Sequence, residues 1–250
     1  MKRVLEIISI LSLVCCSFQN KDPLIIGHRG AMGHVIENTI PSIKKAIELG
    51  VDGIEIDVFK CKSGEIVVFH DKKLDRLTNS LGYIEDLSYD SIMNIKVKGK
   101  YRIPELLEVI DILPNEIFLN VELKGKDTAK KVNQIITEFI DNTDSKLDRF
   151  IISSFDWNEL SIMRSINKDI PIAVLTDKSI VKAIEEAIKL KAIAINPSQK
   201  LLNFEIVKKI KSYGLKVFPY TVNNPIEIKK IKKFNIDGII TDFPERININ

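Results

Sequence analysis

Leu24-Ile25-Ile26-Gly27-His28-Arg29-Gly30-Ala31-Met32-Gly33-His34-Val35-Ile36-Glu37-Asn38-Thr39 opens as an apolar strand, turns at His-Arg-Gly and ends in a helix-start signal. The histidine and the arginine stand side by side where the strand stops. That pairs a group that titrates near neutrality with a fixed cation whose forked donors suit phosphate.

The strand-then-helix rhythm continues along the chain. Short apolar runs predict strands at 24–28, 51–58, 117–123, 149–153, 171–175, 192–195, 216–222 and 237–241. Apolar spacing of three and four predicts helices at 38–49, 104–113, 127–142, 156–166, 178–190, 203–213 and 225–233. In one of them Ile180, Ile184, Ala187 and Ile188 alternate with Lys and Glu. Pro41 and Pro225 suit first helical turns, and Gly50 and Gly214 suit helix ends. Eight strands with intervening helices in 250 residues predict an α/β fold of the (β/α)8 TIM-barrel type. A doubly wound sheet is the rival, but no Gly-x-Gly-x-x-Gly follows a strand. Residues 60–103 break the rhythm. Lys62-Ser63-Gly64 marks a hairpin, Ile66 to Asp71 forms its return strand, and a polar run follows. This reads as a hairpin plus an insertion after the second barrel strand, since it is too long for a plain connection.

The acids follow from alternation. In Gly53-Ile54-Glu55-Ile56-Asp57-Val58 the three apolar residues share one face, and Glu55 and Asp57 share the other. Barrel strands turn their apolar face to the helices, so both carboxylates point into the lumen. The same alternation in Asn120-Val121-Glu122-Leu123-Lys124 sends Glu122 and Lys124 inward at the end of the next barrel strand. Unpaired buried charges are costly. Three carboxylates at one rim suit one hard divalent cation, Mg²⁺ or Ca²⁺. His28 and His70 each end a strand beside this cluster and can divide the work of an acid and a base. His34 lies in a loop and reads as structural. Glu37 either braces Arg29 or occupies a helix's first turn, where a negative charge is favourable.

The bulk properties bound the rest. Net charge is only +3, without the clustered basic face expected of a nucleic-acid binder. Lys229-Lys230 and Lys232-Lys233 frame Ile228 and Ile231 and read as a solvated helix face. Met1-Lys2-Arg3, an apolar run over 7–15 and a polar stretch from Ser17 to Asp22 have the shape of an export signal. The run is too short to span a bilayer permanently. Leu13-Val14-Cys15-Cys16 is similar to a bacterial lipoprotein signal, so residues 1–22 are expected to be leader and tether. Cleavage before Cys16 would make it the lipidated first residue of an exported, envelope-anchored protein, with ordinary cleavage and a secreted or periplasmic product as the alternative; 23–250 are expected to form one catalytic barrel. The third cysteine, Cys61, has no evident partner, and no structural disulfide is expected.

Taken together, His28-Arg29-Gly30, Glu37-Asn38-Thr39, Glu55-x-Asp57-Val58, His70-Asp71 and Glu122-Leu123-Lys124 resemble the glycerophosphodiester phosphodiesterases in order and spacing. The resemblance extends over about residues 24–244. It includes Leu77-Thr78-Asn79, Gly82, Thr221-Val222-Asn223 and Asp237-Gly238-Ile239-Ile240-Thr241-Asp242. Ile36 stands where these proteins often carry Pro, and Phe218-Pro219-Tyr220 stands where they often carry Trp. The resemblance implies a metal-dependent barrel that splits glycerophosphodiesters into sn-glycerol 3-phosphate and an alcohol. It implies His28 and His70 as the acid–base pair, Glu55, Asp57 and Glu122 as metal ligands, and Arg29 and Lys124 as phosphate contacts. The alternatives are a lysophospholipase D-like enzyme and a lipoprotein that binds a phosphodiester without cleaving it.

Overall fold

The computed structural model describes residues 22–248. The leader, with Cys16, lies outside the described residues. In chain order the elements are β1 (Leu24–His28), α1 (Ile40–Glu48), β2 (Gly53–Lys60), β3 (Ile66–Val68), α2 (Tyr89–Met93), β4 (Lys96–Val97) and β5 (Tyr101–Arg102). They continue with α3 (Leu106–Asp111), β6 (Phe118–Leu123), α4 (Ala129–Asp141), β7 (Phe150–Ser154), α5 (Trp157–Ile166) and β8 (Ile172–Thr176). The last are α6 (Ile180–Lys189), β9 (Ala194–Pro197), α7 (Phe204–Lys211), β10 (Lys216–Val217), α8 (Pro225–Lys232) and β11 (Gly238–Thr241).

Eight strands run in the order β10-β9-β8-β7-β6-β2-β1-β11. Each ladder between neighbours is parallel. The ring closes between its first and last members without a regular ladder. There, Asp237 N–H reaches Val217 O, Ile240 N–H reaches Pro219 O and Val222 N–H reaches Ile240 O, at 3.0–3.1 Å. The expected strand over 216–222 is therefore regular only through Val217. Pro219 has no N–H to give to a ladder. The result is the expected TIM barrel, sealed along one side by a loose seam.

The lumen changes character two residues up most of the strands. Lower down, Ile26, Ile151, Ala173, Ala194, Phe218 and Ile240 pack together as an apolar plug. One step higher on the same strands stand His28, Ser153, Leu175, Asn196, Tyr220 and Asp242. Outward-facing Ile54, Ile56, Val58, Val121 and Leu123 join the larger core against the helices. That layering follows from the strand's period of two and places the polar layer at the C-terminal rim.

The insertion builds its own small core. β3 pairs antiparallel with β2 through Val58↔Val68 and Lys60↔Ile66, which carries β2 to Lys60, beyond the expected 58. Phe59, Phe69, Leu74, Ile84, Ile92 and Ile103 then bury against one another. Cys61 is buried within it. The first helix starts at 40 rather than the expected 38. Asn38 holds a left-handed φ of 55°, and the Thr39 side chain accepts the Ser42 N–H as N-cap.

One buried acid ties two outer helices together. Glu159 on α5 receives the N–H groups of Asp127, Thr128 and Ala129 and the Thr128 hydroxyl, at 2.7–3.1 Å. It thus satisfies the orphan donors that open α4. Hydrogen bonds to a charged group are worth about 1.5–3 kcal/mol each, and donors left unpaired in the interior are costly. Glu159→Ala should lower stability by about 2–3 kcal/mol in a urea titration. Glu159→Gln should recover part of that loss.

Candidate active site

The β1–α1 turn is shaped by two residues at positive φ, Arg29 at 51° and Gly30 at 84°. At Gly30 an added Cβ would come within 2.5 Å of Ser42 Oγ, so glycine is required there on two grounds. The turn is pinned by Ser42, whose hydroxyl donates to Arg29 O at 2.9 Å and accepts from Ala31 N–H at 3.0 Å. It aims the Arg29 N–H at Glu55 Oε2, 3.1 Å away. Non-glycine residues held in the left-handed region cluster at functional sites.

Register brings the acids level. His28 lies opposite Glu55 on β2, and Asp57 lies opposite Glu122 on β6. Glu55, Asp57 and Glu122 are buried, and one oxygen from each falls within 4.8 Å of the others. Asn38 orients Asp57 by donating to its Oδ2 at 2.9 Å and accepting its backbone N–H at 3.3 Å. Two cations offset the acids. Arg29 Nε is 3.2 Å from Asp57, and Lys124 Nζ lies 3.0 Å from Glu122 and 3.6 Å from Asp57.

The compensation is incomplete. Burial, then the charges of Asp57 and Glu122, holds Glu55 well above the usual carboxylate range despite Arg29. Burial and Asp57 push Glu122 up to about 7 against the pull of Lys124. Glu55 Oε1 is buried without a hydrogen-bond partner. An orphaned acceptor among three crowded carboxylates fits a hard divalent cation held by oxygen donors.

Each histidine carries its own carboxylate. His28 Nδ1 lies 2.6 Å from Asp242 Oδ1, and Asn223 in turn donates to Asp242 Oδ2 at 2.6 Å. His70 Nδ1 lies 2.5 Å from Asp71 Oδ1. A carboxylate only accepts, so both rings carry the proton on Nδ1 and turn Nε2 to the site. His28 Nε2 is 3.9 Å from Glu55. His70 Nε2 accepts from Lys124 Nζ at 3.2 Å. Burial, with Arg29 and Lys124 acting in the same sense, lowers the His70 pKa against Asp57 and Asp71. A cleft bordered by His28, Glu55, Glu122, Ser153 and Tyr220 opens beside these groups.

All seven predicted site residues of the barrel, His28, Arg29, Glu55, Asp57, His70, Glu122 and Lys124, thus meet at one rim. Glu37 braces Arg29 at 2.6 Å. His34 pairs with Glu245 at 2.9 Å. Trp157 packs against the outer core, its indole N–H on Leu175 O at 3.1 Å. Phe155 stands half exposed with its ring edge against Tyr220, 5.8 Å between centroids. The supporting contacts of Asn38, Asp242 and Asn223 join residues distant in the chain and are not evident from sequence spacing. For Asp242 there is a signal: it directly follows the last predicted strand, 237–241, which in a closed barrel must neighbour the first.

Residues 28–246 match the model of the glycerophosphoryl diester phosphodiesterase family. A glycerophosphodiester phosphodiesterase of Caldanaerobacter subterraneus is 34% identical over 237 residues, covering 90% of this chain and 96% of its own. One from Bacillus subtilis is 31% identical over 246 residues, covering 89% and 84%. Among solved structures, an Oleispira antarctica phosphodiesterase in complex with the product sn-glycerol-3-phosphate superposes with a TM-score of 0.81 at 26% identity, covering 90% and 95%. A glycerophosphodiester phosphodiesterase of Thermotoga maritima gives 0.76 at 30% identity, covering 89% and 96%.

The raised Glu122 carboxyl sets a pH dependence. Between its ordinary value of 4.5 and about 7, the folded cation-free protein binds a proton more tightly than the unfolded chain. Stability without cation should therefore fall as pH rises through that window. A divalent cation competes with that proton, so its stabilising effect should grow over the same window. A free cation at 100 times its dissociation constant adds about 2.7 kcal/mol. Thermal unfolding with EDTA or with Mg²⁺ or Ca²⁺, from pH 4.5 to 8, measures both slopes. Glu122→Gln should flatten them.

Proposed function

The chain belongs to the glycerophosphoryl diester phosphodiesterase family, and on that premise we propose that it hydrolyses glycerophosphodiesters to sn-glycerol 3-phosphate and an alcohol. The observation that carries this reading is the pairing of two carboxylate-backed imidazoles with three convergent acids at one barrel rim. A divalent cation, Mg²⁺ or Ca²⁺, held by Glu55, Asp57 and Glu122, would draw charge from a phosphate oxygen.

The chain's own residues supply the rest. Arg29 presents its guanidinium, held by Glu37 and Asp57, to another phosphate oxygen. Lys124 stands between Glu122 and His70, where it can meet the same phosphate. Burial and two neighbouring cations disfavour the charged form of His70, which suits its Nε2 to removal of a proton from the nucleophile, water or the substrate's own glycerol hydroxyl. His28, oriented by Asp242, suits delivery of a proton to the leaving alkoxide. Attack on phosphorus breaks the bond to the alcohol. With water as nucleophile this leaves sn-glycerol 3-phosphate directly, and the histidines regain their starting protonation from solvent; with the substrate's own glycerol hydroxyl it leaves a cyclic phosphate, which water then opens with the two histidines in exchanged roles.

The leader sequence and Cys16 support an envelope location for this barrel by a lipid anchor. Incorporation of labelled palmitate, lost in Cys16→Ser, tests that placement.

The activity is tested by release of glycerol 3-phosphate from glycerophosphocholine. A chelator should abolish it, and added cation should restore it. His28→Ala and His70→Ala should each lower kcat by at least about 10²-fold, the lower end for general acid–base catalysis. Either variant near wild-type rate would remove that residue from the mechanism. Faster cleavage of the acylated form would favour the lysophospholipase D-like alternative. Tight binding without product release would favour the non-catalytic one.

A further inference from the structure

Arg76 belongs to the insertion, yet its side chain reaches two separate parts of the rim. Its Nη1 and Nη2 donate to Glu37 at 2.8 and 2.7 Å. Its Nε and Nη2 donate to Asp71 at 2.5 and 3.1 Å. One guanidinium therefore forks onto two carboxylates. Glu37 is the brace of Arg29, and Asp71 is the partner of His70 Nδ1. The two carboxylates come from loops 34 positions apart in sequence, one after β1 and one after the β2–β3 hairpin.

The insertion's core aims this side chain. Leu74 and Leu77 flank Arg76 and are buried in that core. Lys98 fixes the backbone between them, its Nζ on Arg76 O at 2.7 Å and its N–H on Leu77 O at 2.6 Å. A plain surface ion pair is the simplest alternative, and the Arg76 side chain is 47% exposed. Such pairs are worth little to stability, about 0–1 kcal/mol. This one differs in its partners. Burial alone would raise the Glu37 carboxyl, but the bonds from Arg76 and the charge of Arg29 hold it at about 2. Asp71 is held at about 2 in the same way, by Arg76 and His70 against burial. Both acids are thus fixed as anions in one orientation.

We propose that Arg76 is a positioning residue that locks the His70–Asp71 and Arg29–Glu37 pairs into one rigid unit, and that the insertion serves to deliver it. Arg76 bonds to neither His70 nor Arg29; it acts through Asp71 and Glu37. Without it, Asp71 is free to turn, and the His70 ring loses the partner that keeps its proton on Nδ1. Glu37 keeps Arg29 but loses two of its donors. Misplacing a reacting group by about 1 Å, even through a remote change, can cost about 10²-fold in rate.

The inference rests on the proposed reaction for its kinetic arm only, so a second arm is independent of turnover. Nitrogen-15 spectra of the imidazoles, in Mg²⁺-containing buffer and assigned by substituting each histidine, report which ring nitrogen holds the proton. Wild type should show His70 with one protonated and one bare nitrogen. Arg76→Ala should move both His70 nitrogens toward averaged values and leave His28 in place. Arg76→Lys should restore part of the separation. With glycerophosphocholine, kcat of Arg76→Ala should fall by up to about 10²-fold while KM changes less. An unchanged His70 spectrum in Arg76→Ala would overturn the assignment, and so would shifts of equal size at His28, which would mean general loosening. If no turnover is found in any variant, the proposed activity fails while the spectra still decide the role of Arg76.

Discussion

Three carboxylates are buried at one rim, with two cations among the described residues in direct contact, and the rest of the structure can be understood as the means of making that tolerable. Taking acids out of water is costly unless they are paired or bind a metal. β2 and β6 supply the acids because their alternation leaves no other face for them. The β1–α1 turn adopts a left-handed backbone to bring Arg29 and its N–H against Glu55 and Asp57. Lys124 comes from one step above Glu122 on the same line of side chains. The residual imbalance, seen in the upward displacement of Glu55 and Glu122, is what a bound cation would relieve. Stability has been spent here on an affinity for positive charge.

Around that centre the barrel separates structural work from chemical work by height. The apolar plug of Ile26, Ile151, Ala173, Ala194, Phe218 and Ile240 fills the lower lumen, and the next inward position on most of the same strands is polar. Everything that holds the staves lies outside or below. Everything that can touch a phosphate lies at the rim, partly on loops. The insertion adds a second, separate core to this plan, which gives a loop-borne histidine the rigidity that strand ends give His28.

The fold was legible because its signal is local. Strand alternation in Gly53–Val58 and Asn120–Lys124 told which way each acid faces, and helix spacing told where the outer layer runs. The positions of His28, His70 and the three acids followed from the same reasoning. The unread parts depend on contacts between distant residues. Asn38 could not be linked to Asp57, nor Glu159 to the start of α4, from spacing alone. Arg76 lies in a polar run whose pattern indicates no shape. The paired short strands β4 and β5, at two residues each, fall below any periodicity. Pro219 was visible, but its effect on the closing seam depends on which strand lies opposite.

That seam, and the way the ring ends beside its own beginning, bears on when the molecule can work. His28 takes its support from Asp242, 214 positions later in the chain, and β1 is flanked by β11 along its length. Contacts of such sequence separation form late, because a long loop must be closed before they are rewarded. A growing polypeptide on the ribosome holds nearly all the acids and both imidazoles before it holds the residue that steadies the first of them. Synthesis of that stave is thus the event that completes the site, and a chain ending before Asp242 would lack the support for His28.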